Sequence, residues 1–203
     1  MGMYGVLWRV TPDDVRRLAK ADDREIDEFL NGKPTATPGP QRAKGLRGWF
    51  NRISPITIET AEDYLDAPRG PSGAKAELNV DKAWHGLQFL FTQTAYEGAE
   101  PGCFLVKGGG ELSANADDEG LMRVLDASQV AAFAAFLQNV SREELSRRHD
   151  PARMTDLDIY PSIWDRAEED AQNRAFLLDS YEELRDFVVA AAADGDQLVI
   201  MIG

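Results

Sequence analysis

The stretch SYEELRDFVVAAAADGDQLVIMI, Ser180 to Ile202, decides the fold class. Ser180 to Glu183 has the form of a capping box, in which a serine oxygen and a glutamate three residues on satisfy two amides of a helix start. Leu184, Phe187, Val188 and Ala191 follow at helical spacing, so one face of that helix is apolar. Gly195 sits where a helix C-terminal glycine belongs, and QLVIMI then runs without a polar break. A strand apolar on both sides belongs in the middle of a sheet covered on both faces. Helix, tight turn and buried strand form an α/β unit. The expectation is therefore a single compact three-layer α/β domain, a small mixed sheet with helices on both faces, spanning residues 1–203.

The opposite end of the chain agrees. GVLWRV alternates Val6, Trp8 and Val10 against Leu7 and Arg9, the period of a strand. Thr11 then reads as an N-cap, with Pro12 first in a helix to about Lys20 and Asp14 in its first turn. A second amphipathic piece carries Ile26, Phe29 and Leu30 and stops at Asn31-Gly32. Between these ends, CFLV (Cys103 to Val106) and LMRVL (121–125) read as strands. Asp126 opens a helix whose box closes at Gln129, and SREE (Ser141 to Glu144) opens another. KPTATPGP and APRGPSGAK are loops by their prolines and glycines, and SPITIETAEDYL holds a helix starting after Thr60.

At 203 residues the chain buries about 70% of its unfolded surface and needs no covalent staple. Its one cysteine, Cys103, and an N-terminus without a basic-then-apolar leader point to a reducing cytoplasm. The longest apolar runs, FVVAAAA and AAFAAFL, are too short for a membrane span.

The net charge is −13 and unevenly spread. Between Asp156 and Asp186 ten acidic side chains face three basic ones, a balance of −7, so that segment repels nucleic acid. Arg42, Lys44, Arg47 and Arg52 flank Trp49 and Phe50 in the opposite bias, and read best as an internal match to the acidic third.

MGMYGVLWRV, LNVDKAWHGLQFLF, SREELSRRHDPARM and IYPSIW, in this order, resemble the YfbM-like proteins, a bacterial family of unknown function. The resemblance extends over essentially the whole chain, apart from longer loops at 33–58 and 66–76. It implies a three-layer α/β domain and no reaction.

One arrangement carries candidate chemistry. On a helix from Val80 to about Thr92, capped by Asn79, the residues Asp81, His85, Gln88 and Thr92 share one stripe within about 60°. Trp84 falls in the apolar arc of the helix. Asp81 one turn from His85 is half of a general-base pair, and Tyr160 and Trp164 of IYPSIW supply aromatic walls for a pocket. The other reading gives Asp81 a place at a helix N-terminus and His85 a boundary position. Metal binding has no support, because His85, His149 and Cys103 show no ligand spacing. The GGG after CFLV leads into an acidic turn rather than a helix and cradles no phosphate, so no cofactor is expected.

Asp165, Glu168, Glu169 and Asp170 lie in the most acidic tract and suit docking of a basic partner protein. The leading expectation is a non-catalytic interaction module, immunity-like or adaptor-like. The alternative is an enzyme or small-ligand binder using Asp81, His85, Tyr160 and Trp164.

Overall fold

The computed structural model describes residues 2–21, 23–31, 33–34, 71–112 and 121–203. The basic and aromatic tract at 42–52, the helix after Thr60 and most of the two long loops lie outside the described residues.

Strand β1 (Gly5–Val10) pairs on one side with β4 (Ala76–Asp81) and on the other with β7 (Gln197–Ile202). Next to β7 comes β6 (Leu121–Leu125), and β5 (Gly110–Glu111) closes the order β4-β1-β7-β6-β5. QLVIMI is thus the central strand, as its two apolar faces require. A separate two-residue pairing joins β2 (Lys33–Pro34) and β3 (Pro71–Ser72).

Strand alternation builds the two cores. Leu7, Leu198 and Ile200 point to the larger one, while Val6, Trp8, Val10 and Val199 point to the smaller. The smaller core is covered by α1 (Pro12–Leu18) and α2 (Asp23–Asn31) through Leu18, Ile26, Phe29 and Leu30. The larger is covered by α3 (Ala83–Thr92), α4 (Ala127–Asn139), α5 (Arg142–Arg148), α6 (Pro151–Asp156) and α7 (Asp170–Ala193). Where α3 crosses α7 it does so at Gly86, whose missing Cβ would stand 2.6 Å from a Leu177 methyl. Helices on both faces of one sheet make the single compact α/β domain expected.

Several details differ from the sequence reading. The five-stranded sheet is antiparallel throughout rather than mixed. The chain travels from β6 to β7 through four helices, not through the single crossover helix that makes neighbours parallel. Val80 and Asp81 belong to β4, not to a helix: Asp81 pairs with Gly5 of β1, and Val80 stands in the irregularity between that pair and the pair Asn79–Val6. Asn79 still caps, but as a turn: its Oδ1 accepts the Asp81 amide at 2.7 Å. Asp81 then takes φ 51°, and the chain enters α3 two residues later.

CFLV is a series of turns rather than a strand, with the Cys103 carbonyl accepting from Val106 at 3.0 Å and Lys107 at 2.8 Å. Its buried apolar character comes from Phe104 and Leu105 inserting into the larger core. Arg123 of β6 is buried against it and donates to the carbonyls of Leu105 and Gly108, at 2.5 and 2.9 Å. Finally, Ser180 lies inside α7 and is buried. Phe176 and Leu177 continue the apolar face of Leu184 and Val188 backward, so packing carries the helix ten residues past the local capping signal.

Thr11 and Asp126 do what their positions demand. Both form reciprocal capping boxes, with Asp14 and Gln129 respectively. Ser141 accepts the Glu144 amide at 3.1 Å, and Gly195 follows α7 with φ 68°.

Candidate functional site

Helix α3 is buried all round from Ala83 to Phe91. The polar stripe of His85, Gln88 and Thr92 exists, and it is covered by backbone. Gln93 takes a left-handed φ of 58° and turns the chain back along the helix. The returning loop is then fastened to the stripe: the Ala95 carbonyl lies 3.0 Å from His85 Nε2, and the Glu97 carbonyl accepts Gln88 Nε2 at 3.0 Å. Arg148 donates to the carbonyls of Leu90 and Phe91, and Arg153 to that of Gln93, so the helix end is sealed by two cations where its dipole favours them.

His85 is fully buried, and its other nitrogen is also occupied. The Tyr160 amide donates to Nδ1 at 3.0 Å. An acceptor at Nδ1 fixes the proton on Nε2, which donates to Ala95. The neutral ring lies between Trp84, stacked at 4.6 Å, and Tyr96 at 4.7 Å. Burial pulls its pKa down to about 4, against the opposing pull of the Ala95 carbonyl. A general base must present a free lone pair to a substrate; this imidazole spends both nitrogens on backbone and acts as a clamp between two loops.

The four sequence candidates separate accordingly. His85 and Tyr160 meet, and the Tyr160 ring stacks at 6.1 Å on Trp84. Asp81 is off the helix and lies toward the Tyr160 hydroxyl. Burial first, and then the Asp81 charge, raise the Tyr160 pKa, while the Met3 amide opposes them. Trp164 goes elsewhere: it is buried, donates to the Ile159 carbonyl at 2.6 Å, and stands edge-on to His149 at 6.1 Å. A shallow depression of about 250 Å³ is lined by Glu100, Pro101, Phe104, Ser128, Gln129 and Ala132, and by none of the four.

His149 follows α5 as its cap, and Asp150 and Pro151 open α6. Its buried side chain faces Asp170, with Nδ1 3.5 Å from a carboxylate oxygen, and burial lowers its pKa. No local pattern pointed to that pairing, which spans two helices. Among the described residues no group of three His, Cys, Asp or Glu side chains is arranged to hold a metal, and no helix is long and apolar enough to cross a membrane.

The acidic tract divides into paired and unpaired charges. Arg142 reaches Asp179 at 2.8 Å and Glu182 at 3.2 Å. Arg174 holds Asp170 at 2.6 Å, Arg166 lies 3.5 Å from Glu169, and Arg185 takes Asp186 at 3.0 Å. Two of the four proposed docking acids, Glu169 and Asp170, are therefore paired with arginines three and four residues away. Asp165 and Glu168 are exposed, and so are Asp156 and Asp158 just upstream. Negative charge thus concentrates between the end of α6 and the start of α7.

The model of the family described as Domain of unknown function (DUF1877) matches residues 1–201. No curated protein matches the chain. The crystal structure of YfbM from Escherichia coli, described as a protein of unknown function, superposes with a TM-score of 0.61. The two share 19% identity over 98% of this chain and 99% of that one, a likeness of fold.

Proposed function

Because the chain belongs to the family described as Domain of unknown function (DUF1877), a membership that brings no reaction with it, we propose that it is a non-catalytic interaction module. The whole chain acts as one unit in a reducing cytoplasm, adaptor-like or immunity-like, and docks a basic partner protein. The observation that carries this reading is the exposed charge of Asp156, Asp158, Asp165 and Glu168, unpaired among the described residues and set beside a tract whose arginines are already engaged. Clustered charge of one sign speeds encounter with the opposite sign and makes it salt-sensitive. A pocket-based reading loses its base, since both nitrogens of His85 are bonded to backbone.

Capture of basic proteins from native lysate, followed by association kinetics on the purified pair, tests the proposal. The combined variant Asp156→Asn, Asp158→Asn, Asp165→Asn and Glu168→Gln is expected to slow association at least about tenfold at low salt. High salt should erase the difference. Glu169→Gln and Asp170→Asn should change binding far less. A partner whose association ignores both ionic strength and these four residues would refute the docking surface.

A further inference from the structure

Among the described residues, four large apolar side chains are exposed: Met3, Tyr4, Tyr96 and Leu157, at 40%, 38%, 56% and 36%. They come from three distant parts of the sequence, yet their segments converge on one place. The Tyr96 ring packs on His85, and His85 is bonded to the Tyr160 amide. Leu157 leads into Tyr160 three residues on, and the Met3 amide lies against the Tyr160 hydroxyl. Tyr4 is fixed beside Met3 by exchanging backbone bonds with Gly203 at 2.7 and 3.1 Å.

Two non-glycine residues with left-handed backbone set the courses of these segments: Gln93, at φ 58°, before the loop that carries Tyr96, and Asp158, at φ 51°, just after Leu157. Such conformations persist where surrounding structure imposes them, and they gather at sites that present groups in a set geometry. Here they shape the loop that carries Tyr96 and the segment that carries Leu157.

Resting on the reading of the chain as an interaction module, the geometry points to one docking surface centred on Tyr96 and Leu157 and bordered by Met3 and Tyr4, whose occupant is a cationic protein segment bearing at least one large apolar side chain. Charge selects that occupant. Asp156 and Asp158 flank Leu157 and are exposed, whereas Glu97, which follows Tyr96, is already paired with Lys107. A second copy of this chain would set these acids against their own counterparts, at a net charge of −13 per chain. Apolar anchors inside a charged rim are the usual anatomy of a specific contact, with the anchors carrying affinity and the rim carrying rate and selectivity. The His85 clamp holds the two loops in place before binding, which lowers the ordering cost.

A phage-displayed peptide library selected on the full-length chain tests this. Enriched peptides are expected to combine Lys or Arg with an aromatic or large aliphatic residue. Their affinity should fall about tenfold or more in a Tyr96→Ser, Leu157→Ser variant, and Leu157→Ser alone, at an exposed side chain, should weaken binding while thermal unfolding stays close to that of the parent. Peptides that depend on Asp156 and Asp158 but ignore Tyr96 and Leu157 would overturn the apolar centre and leave the acidic docking reading standing. Absence of any enriched cationic peptide, or binding indifferent to both sets, would overturn both. A concentration-dependent dimer of the parent that Leu157→Ser abolishes would make a second copy the occupant and overturn the cationic one.

Discussion

Asp196→Ala is expected to destabilise the fold by about 3 kcal/mol, lowering the unfolding midpoint by about 10 °C for a chain of this size. Asp196 stands between α7 and β7 and is 1% exposed. Its Oδ2 accepts from Arg9 Nε at 3.0 Å and Nη2 at 2.7 Å, and its Oδ1 accepts from Lys75. One buried carboxylate thereby ties β1, the residue that leads into β4, and the turn before the central strand. Removing it leaves the Arg9 guanidinium, 13% exposed, short of its main partner. Lys75 is 43% exposed and recovers water, which keeps the loss below the upper end for a broken buried pair. Asp194 is the internal control. It contacts the same Arg9 but is 60% exposed, so Asp194→Ala should cost less than about 1 kcal/mol. Urea unfolding of both variants provides the comparison, and equal losses would contradict the assignment.

His85→Ala is expected to cost about 4 kcal/mol. It strips the buried Tyr160 amide and the Ala95 carbonyl of their partners and leaves a cavity between Trp84 and Tyr96. The pH dependence has a definite sign. The unfolded chain protonates this imidazole near 6.5, whereas the folded chain resists until about 4. Stability from keeping the ring neutral is thus complete above pH 6.5 and is lost as pH falls from there toward 4. The span corresponds to about 3 kcal/mol. His149, also lowered by burial, contributes in the same direction. His85→Gln should be less stable than the parent at neutral pH and should lose less stability on acidification. Parallel stability curves for the two from pH 7 to about 4 would contradict the clamp.

The parts of the fold that were legible in the sequence are those set by local chemistry. The boxes at Thr11 and Asp126, the glycine after α7, and the two-sided apolar run of β7 needed no distant partner to be recognised. What escaped was decided by long-range pairing. AELNVD becomes a strand because β1 has a free edge beside it, and that edge ends the helix stripe before Asp81 can join it. Ser180 has a good capping sequence and yet sits in mid-helix, since Phe176 and Leu177 bury more apolar surface as helix than as loop.

The site was legible to a similar depth. His85, Gln88 and Thr92 do share a stripe, but their partners are the 93–97 loop and the amide of a residue 75 positions away. Nothing local in DKAWHGL announces that a backbone amide will fill the histidine's free lone pair. The acidic tract was visible as composition, and only the arginine pairings separated Asp165 and Glu168 from Glu169 and Asp170.

Nitrogen-detected NMR of the imidazole of His85 across pH asks directly whether this residue is a clamp or a base. The structure requires the proton on Nε2, a shift unchanged through neutrality, and titration only near pH 4. Titration at or above 6.5 that moves when Asp81 is replaced by asparagine would restore the acid–base pair and contradict the account.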